Sequence, residues 1–148
     1  MLSSKRLVLA HFWLAFGLFG LALLLGAWQM LIRSPLLDWI GNPEWYYRSV
    51  TAHGTVMAYV FPTLISMGFG YAISESALGQ PLVGRRWAWL GFALVLVGAV
   101  TAMVPVSLGL ASVLYTFYPP MIGNPFYYIG IVLAVGGSWI WVALRSIN

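Results

Sequence analysis

The sequence predicts an all-α membrane protein with four transmembrane helices, and three observations predict it. Apolar residues make up 61% of the 148 positions and charged residues only 7%, against roughly 25% charged in a typical soluble domain. So few charges cannot cover the surface of a soluble globule. Four stretches, Leu7–Ile32, Ser49–Ser74, Trp87–Ser112 and Pro125–Leu144, contain no Lys, Arg, Asp or Glu. Each reaches the roughly 20 residues that a helix needs to cross a hydrocarbon core of about 30 Å. None alternates apolar and polar residues as barrel strands do, so helices are the form that satisfies every backbone N–H and C=O in lipid.

The first span follows Lys5 and Arg6. It is longer than the roughly 7–15-residue apolar core of a secretory signal, and no small-residue cleavage site follows it. Arg33–Arg48 then reads as a turn-forming loop with Pro35, Gly41-Asn42-Pro43 and the aromatics Trp39, Trp45, Tyr46 and Tyr47. The second and third spans carry Pro62 and Pro105. Each proline removes a backbone donor and is expected to kink or locally open its helix. Glu75–Arg86, with Gly79, Pro81 and Gly84, forms the second loop, and the uncharged Val113–Asn124, with Pro119-Pro120, forms the third. Gly17, Gly20 and Gly26 in span one, Gly68 and Gly70 in span two, Gly91, Gly98 and Ala102 in span three and Gly130, Ala134, Gly136 and Gly137 in span four are small residues of the kind that let helices, or a flat ligand, approach the backbone closely.

The net charge of +4 arises at the segment ends, which marks topology and gives no stripe for nucleic acid. Lys5, Arg6, Arg85, Arg86 and Arg145 fall on one side and Arg33 and Arg48 on the other. The basic excess puts both termini in the cytoplasm, with the aromatic-rich first and third loops facing outward at the headgroups. The chain has no cysteine, which excludes disulfides, thiolate metal sites, iron–sulfur clusters and a cysteine nucleophile.

The inventory of chemistry-bearing residues is short. Asp38, Glu44 and Glu75 lie in the expected loops, so the spans offer no carboxylate relay, and the two histidines, His11 and His53, are too far apart to share a metal. His53, in Thr51-Ala52-His53-Gly54, is expected about one turn into the second helix. An ionisable residue inside a membrane is a functional candidate, because unsatisfied ring nitrogens cost several kcal/mol in lipid. Either it bonds to a neighbouring helix, or it ligates a metal or haem, with Thr51 or a backbone carbonyl orienting the ring through its other nitrogen. Gly54 would let a porphyrin lie against the helix. Met57, one turn on, cannot hold the opposite face of the same iron, so a second ligand must come from elsewhere. His11, close to Lys5 and Arg6, is expected at the interface without a ligand role. Val113–Pro120 is apolar, uncharged and aromatic. It forms either an interfacial belt or a loop folded back over the bundle to cap something buried.

Two blocks are similar to known sequences. Tyr46-Tyr47-Arg48-Ser49-Val50-Thr51-Ala52-His53-Gly54, followed by a span bearing Pro62, resembles helix two of subunit I of the haem–copper oxygen reductases. Tyr115-Thr116-Phe117-Tyr118-Pro119-Pro120 resembles the segment after helix three in that family, in the form typical of its B-type branch. The order and spacing of both blocks fit the first four helices of the subunit.

The resemblance implies a four-helix segment of a larger polytopic bundle, the N-terminal portion of the subunit, in a bacterial or archaeal plasma membrane. It implies that His53 is an axial ligand of the low-spin haem b, and that Tyr115, with Phe117 nearby, lines the oxygen channel. The second haem b ligand, the ligands of the high-spin haem and copper, and the proton-channel aspartate of the A-type branch are not in this sequence. The partners implied are the remaining helices, oxidase subunit II and an electron donor such as cytochrome c. The complete enzyme would reduce oxygen to water and pump protons in aerobic respiration, while this chain alone is expected to be inactive and, ending just past helix four, to be a fragment. Two rival readings are a stand-alone cytochrome b-like electron carrier and a non-redox packing or assembly subunit.

Overall fold

A computed structural model describes residues 4–114 and 116–147. Helix α1 runs over Lys5–Ile32 and is followed by a single 3-10 turn at Asp38–Ile40. The second span is one rod built from three pieces: α2 (Pro43–Thr55), a π-helical segment (Val56–Val60) and α3 (Phe61–Leu78). Helices α4 (Arg85–Ser107) and α5 (Pro125–Ser146) complete an all-helical bundle with four helical rods long and apolar enough to cross a membrane. The rods alternate in direction, so the two termini and the α3–α4 connection share one end, called here the terminal end, and the other two connections share the far end.

The second rod starts six residues earlier than the charge pattern implies. Asn42 caps it by accepting the Glu44 N–H at 2.8 Å, and Pro43 occupies the first turn, where a missing N–H costs nothing. Glu44 and Arg48 then pair along one face, as residues four apart on a helix do. Trp45, Tyr46 and Tyr47 are therefore helical and not part of a loop. His53 consequently lies about 15 Å, some three turns, inside its helix at 1.5 Å per residue.

The two prolines act differently. Ahead of Pro62 the chain widens into the π segment, with the Phe61 N–H donating to the Val56 carbonyl; such one-residue insertions accommodate a proline that would strike the preceding turn. Pro105 sits two residues before α4 ends at Ser107, so this helix stops short of the expected Ser112. Arg48 holds that end: one guanidinium nitrogen donates to the Ser107 carbonyl at 3.3 Å, and Gly109, at φ +76°, leaves the space the guanidinium fills.

The small residues of α4 and α5 form the closest helix contact. A Cβ built on Gly98 would lie 2.5 Å from the Gly130 carbonyl oxygen, and one on Gly137 2.5 Å from that of Gly91. The two backbones thus meet at two points seven residues apart on each helix, bringing many weak dispersion contacts into range. Small-residue packing is therefore what these glycines do, although Gly136 has nothing within 4 Å of its would-be side chain. The main core lies between α1, α3 and α4, with Leu7, Ala15, Leu64, Met67, Tyr71, Ala88 and Val95 fully buried.

Glu75 is not a loop residue. It is buried in the last turn of α3, and its carboxylate accepts the Ser4 N–H at the start of α1 and the Leu82 N–H in the following loop, each at 3.1 Å. One carboxylate thereby caps a neighbouring helix and ties the loop at the terminal end.

Candidate functional site

His53 projects from α2 towards α1. Its Nδ1–H donates to the Ala22 carbonyl at 2.8 Å. That bond fixes the tautomer, because a carbonyl can only accept, and leaves Nε2 with its lone pair free. The ring is half-buried, and Nε2 has no hydrogen-bond partner among the described residues and is not enclosed. A backbone carbonyl behind one nitrogen with the other left free is the arrangement a ligating imidazole requires.

The room for this ring comes from Gly26, which the sequence marks as one of the small intramembrane residues without linking it to His53. Gly26, one turn beyond Ala22 on α1, faces the imidazole so closely that a Cβ there would lie 3.1 Å from Cε1 and 3.4 Å from Nδ1. The signal was present as one of several intramembrane glycines, but nothing local to His53 pointed across to a residue 27 positions earlier. Gly54, expected to provide a flat platform, is instead buried by the chain itself. Thr51 does not orient the histidine either. Its hydroxyl donates to the Tyr47 carbonyl at 2.9 Å and accepts the Leu114 N–H at 3.0 Å.

That second bond belongs to the α4–α5 connection, which folds back into the bundle. Its ends are joined by the Asn124 N–H donating to the Leu110 carbonyl at 2.9 Å, so it forms a compact Ω-like loop. Ala111 and Val113 are fully buried while Thr116, Tyr118, Pro119 and Pro120 stay exposed, so the start of this stretch caps the bundle and its later residues face outward. The Tyr127 hydroxyl donates to the Leu114 carbonyl at 3.5 Å and pairs with the Thr55 hydroxyl at 2.8 Å. Thr51 and Tyr127, the latter held by Thr55, thus clamp Leu114 from two helices. Leu114 and Phe117 both take positive φ, 56° and 57°, a conformation costing side-chain-bearing residues about 1–2 kcal/mol that persists where surroundings impose it. The Phe117 ring stacks on Tyr59 at 6.0 Å and meets Tyr127 and Tyr128 edge-on. Tyr115 lies outside the described residues.

His11 is not interfacial. It is fully enclosed between α1, α3 and α4, against Tyr71 and Phe92. It sits about 20 Å along α1 from the place where His53 docks, at 1.5 Å per residue, so the two histidines form separate environments. No cluster of three or more potential metal-ligating side chains occurs among the described residues.

The family model for cytochrome c and quinol oxidase polypeptide I matches residues 6–147. The chain belongs to the haem–copper oxidase subunit I family. Over 98 residues, 64% of its length, it is 34% identical to cytochrome c oxidase subunit 1 of Thermus thermophilus, and this covers 17% of that relative. It also superposes on a chain from a cryo-EM structure of a heme-copper terminal oxidase dimer with a TM-score of 0.86 and 30% identity, covering 95% of this chain and 24% of that one. The chain thus spans about a quarter or less of the subunit I relatives it matches. What the family scaffold positions here is one half-exposed imidazole and one clamped loop, set at neighbouring places along the same helix.

Proposed function

We propose that this chain is the N-terminal portion of a B-type haem–copper terminal oxidase subunit I and contributes His53 as one axial ligand of the low-spin haem b. The observation that carries the reading is the His53 ring itself, with Nδ1 held by the Ala22 carbonyl and Nε2 left free. An ionisable ring inside a membrane span, held at one nitrogen and open at the other, is placed to accept a ligand. The donor set fits half a haem site, since one neutral imidazole is present and a second ligand must come from outside the chain.

When bound, the haem supplies one-electron transfer. The chain's own part is to hold the imidazole in one tautomer through the Ala22 carbonyl, keep Cε1 close against Gly26, and leave Nε2 without a hydrogen-bond partner of its own. The Tyr-Thr-Phe-Tyr-Pro-Pro block supports the B-type assignment. The clamp on Leu114 and the Phe117 stack support a role for Tyr115 and Phe117 in lining the oxygen channel. The basic excess at the terminal end supports cytoplasmic termini in a bacterial or archaeal plasma membrane. In this reading the remaining helices of the subunit supply the other ligands and the high-spin haem and copper. Subunit II and a donor such as cytochrome c deliver electrons, and the complete enzyme reduces oxygen to water and pumps protons.

The test is co-expression of the chain with the rest of the subunit, followed by the reduced-minus-oxidised spectrum of the purified complex. His53→Ala is expected to remove the low-spin haem b band while the complex still assembles. An unchanged low-spin band in an assembled His53→Ala complex would overturn the assignment.

A further inference from the structure

The second histidine carries an unanswered hydrogen-bonding requirement of its own. His11 has no exposed surface, and its Nδ1–H donates to the Leu7 carbonyl one turn earlier at 2.8 Å. As at His53, this fixes the tautomer and leaves Nε2 a bare acceptor. Unlike His53, the free nitrogen is sealed inside the bundle with no hydrogen-bond partner among the described residues. Tyr71 on α3 is also without exposed surface, and its hydroxyl is likewise buried without a partner. The two rings touch edge to face with centroids 5.6 Å apart. One unsatisfied acceptor and one unsatisfied donor are thus buried on two rings that touch, with no hydrogen bond between them.

Each orphan would cost about 1–3 kcal/mol if left as it stands. An apolar side chain at either position would avoid that cost, so the pairing of the two orphans calls for a ligand that answers both. The chemistry of such a ligand is narrow. It must accept from a phenol O–H, donate to an imidazole nitrogen, and carry no charge. It must also be small enough to sit between rings already packed against Phe92, whose centroid lies 4.8 Å from that of His11. A metal ion does not suit, since no further ligating side chains cluster there among the described residues.

We propose that His11 Nε2 and Tyr71 Oη together bind one internal water molecule, which accepts the Tyr71 proton donor and donates to His11. Two fixed polar partners are the fewest that an ordered buried water takes. The site links α1 to α3 by a polar bridge inside an apolar core. It is separate from the haem-ligand reading and stands whether or not that reading holds.

The experiment is solid-state NMR of the full chain in lipid nanodiscs with 15N-labelled histidine. Comparison with His53→Gln assigns the two rings. The expected result is an unprotonated His11 Nε2 that receives magnetisation from water protons, with this transfer falling several-fold in Tyr71→Phe, which keeps the packed ring and removes the hydroxyl. A protonated Nε2, a water signal unaffected by Tyr71→Phe, or a direct tyrosine-to-histidine transfer with none from water would each overturn the proposal.

Discussion

Adding one methyl group at Gly98 tests whether α4 and α5 meet backbone to backbone. In Gly98→Ala the new Cβ would fall 2.5 Å from the Gly130 carbonyl oxygen and 2.7 Å from the Ala134 nitrogen, where ordinary contact begins near 3.4 Å. Both obstacles are main chain, so no side-chain rotation relieves the overlap and the helices must separate. Overpacking of this kind costs about 1–3 kcal/mol, and widening a close interface also forfeits part of every dispersion contact along it. Against this stands a gain of about 1 kcal/mol from replacing glycine by alanine inside a helix. Gly136→Ala provides the control, because it carries the same helix-propensity gain while its Cβ meets nothing within 4 Å. The difference between the two variants therefore isolates the steric cost, and Gly98→Ala is expected to be the less stable by about 1–3 kcal/mol. The measurement is reversible unfolding of the chain in mixed micelles titrated with sodium dodecyl sulfate and followed by tryptophan fluorescence. Equal midpoints for Gly98→Ala and Gly136→Ala would refute direct backbone contact.

Two further outcomes follow from the site. Gly26→Leu leaves His53 in place but drives a side chain into its ring, where even a Cβ would lie 3.1 Å from Cε1; the assembled complex is expected to lose the low-spin haem band as fully as His53→Ala does. Thr51→Val removes the acceptor of the Leu114 N–H, which should destabilise the α4–α5 loop by about 1–3 kcal/mol. Amide hydrogen exchange of residues 108–114 reads this directly, and protection equal to the parent chain would show that the clamp contributes nothing.

Four helical rods and their approximate places follow from hydropathy alone, because uncharged length is what a bilayer selects. The ends of the rods were less legible. Glu44 and Arg48 look like loop residues until they are placed four apart on one helical face, where they neutralise each other and extend α2 to Pro43. Glu75 misleads in the same way, since its charge marks a span boundary in sequence while its carboxylate is consumed by two backbone N–H groups contributed from elsewhere. His53 was visible as an intramembrane ionisable group, and a backbone carbonyl was one of the orienting partners considered. Which carbonyl, and the glycine that makes space for the ring, depend on how α1 crosses α2, a tertiary fact that no local pattern encodes. The buried position of His11 was hidden for a similar reason: proximity to Lys5 and Arg6 suggests an interface, but Gly68 on α3 lets the two helices close over it, with a would-be Cβ 2.9 Å from that of His11.

The π segment between Val56 and Val60 divides the second rod into two phases. Each residue of an α-helix advances its side chain by about 100°, so a π segment that absorbs one extra residue sets everything beyond it nearly a third of a circle away from where an unbroken α-helix of the same sequence would place it. His53 is aimed from one phase and Leu64, Met67 and Tyr71 from the other. On an unbroken α wheel His53, Leu64, Met67 and Tyr71 would fall within about 60° of one another, so it is the π segment that lets the far end suit a ligand while the terminal end suits the core. Deleting one residue here is expected to restore an unbroken α-helix and leave both halves facing as they do, whereas straightening the segment without a deletion would swing the histidine and the apolar stripe by nearly a third of a circle relative to each other.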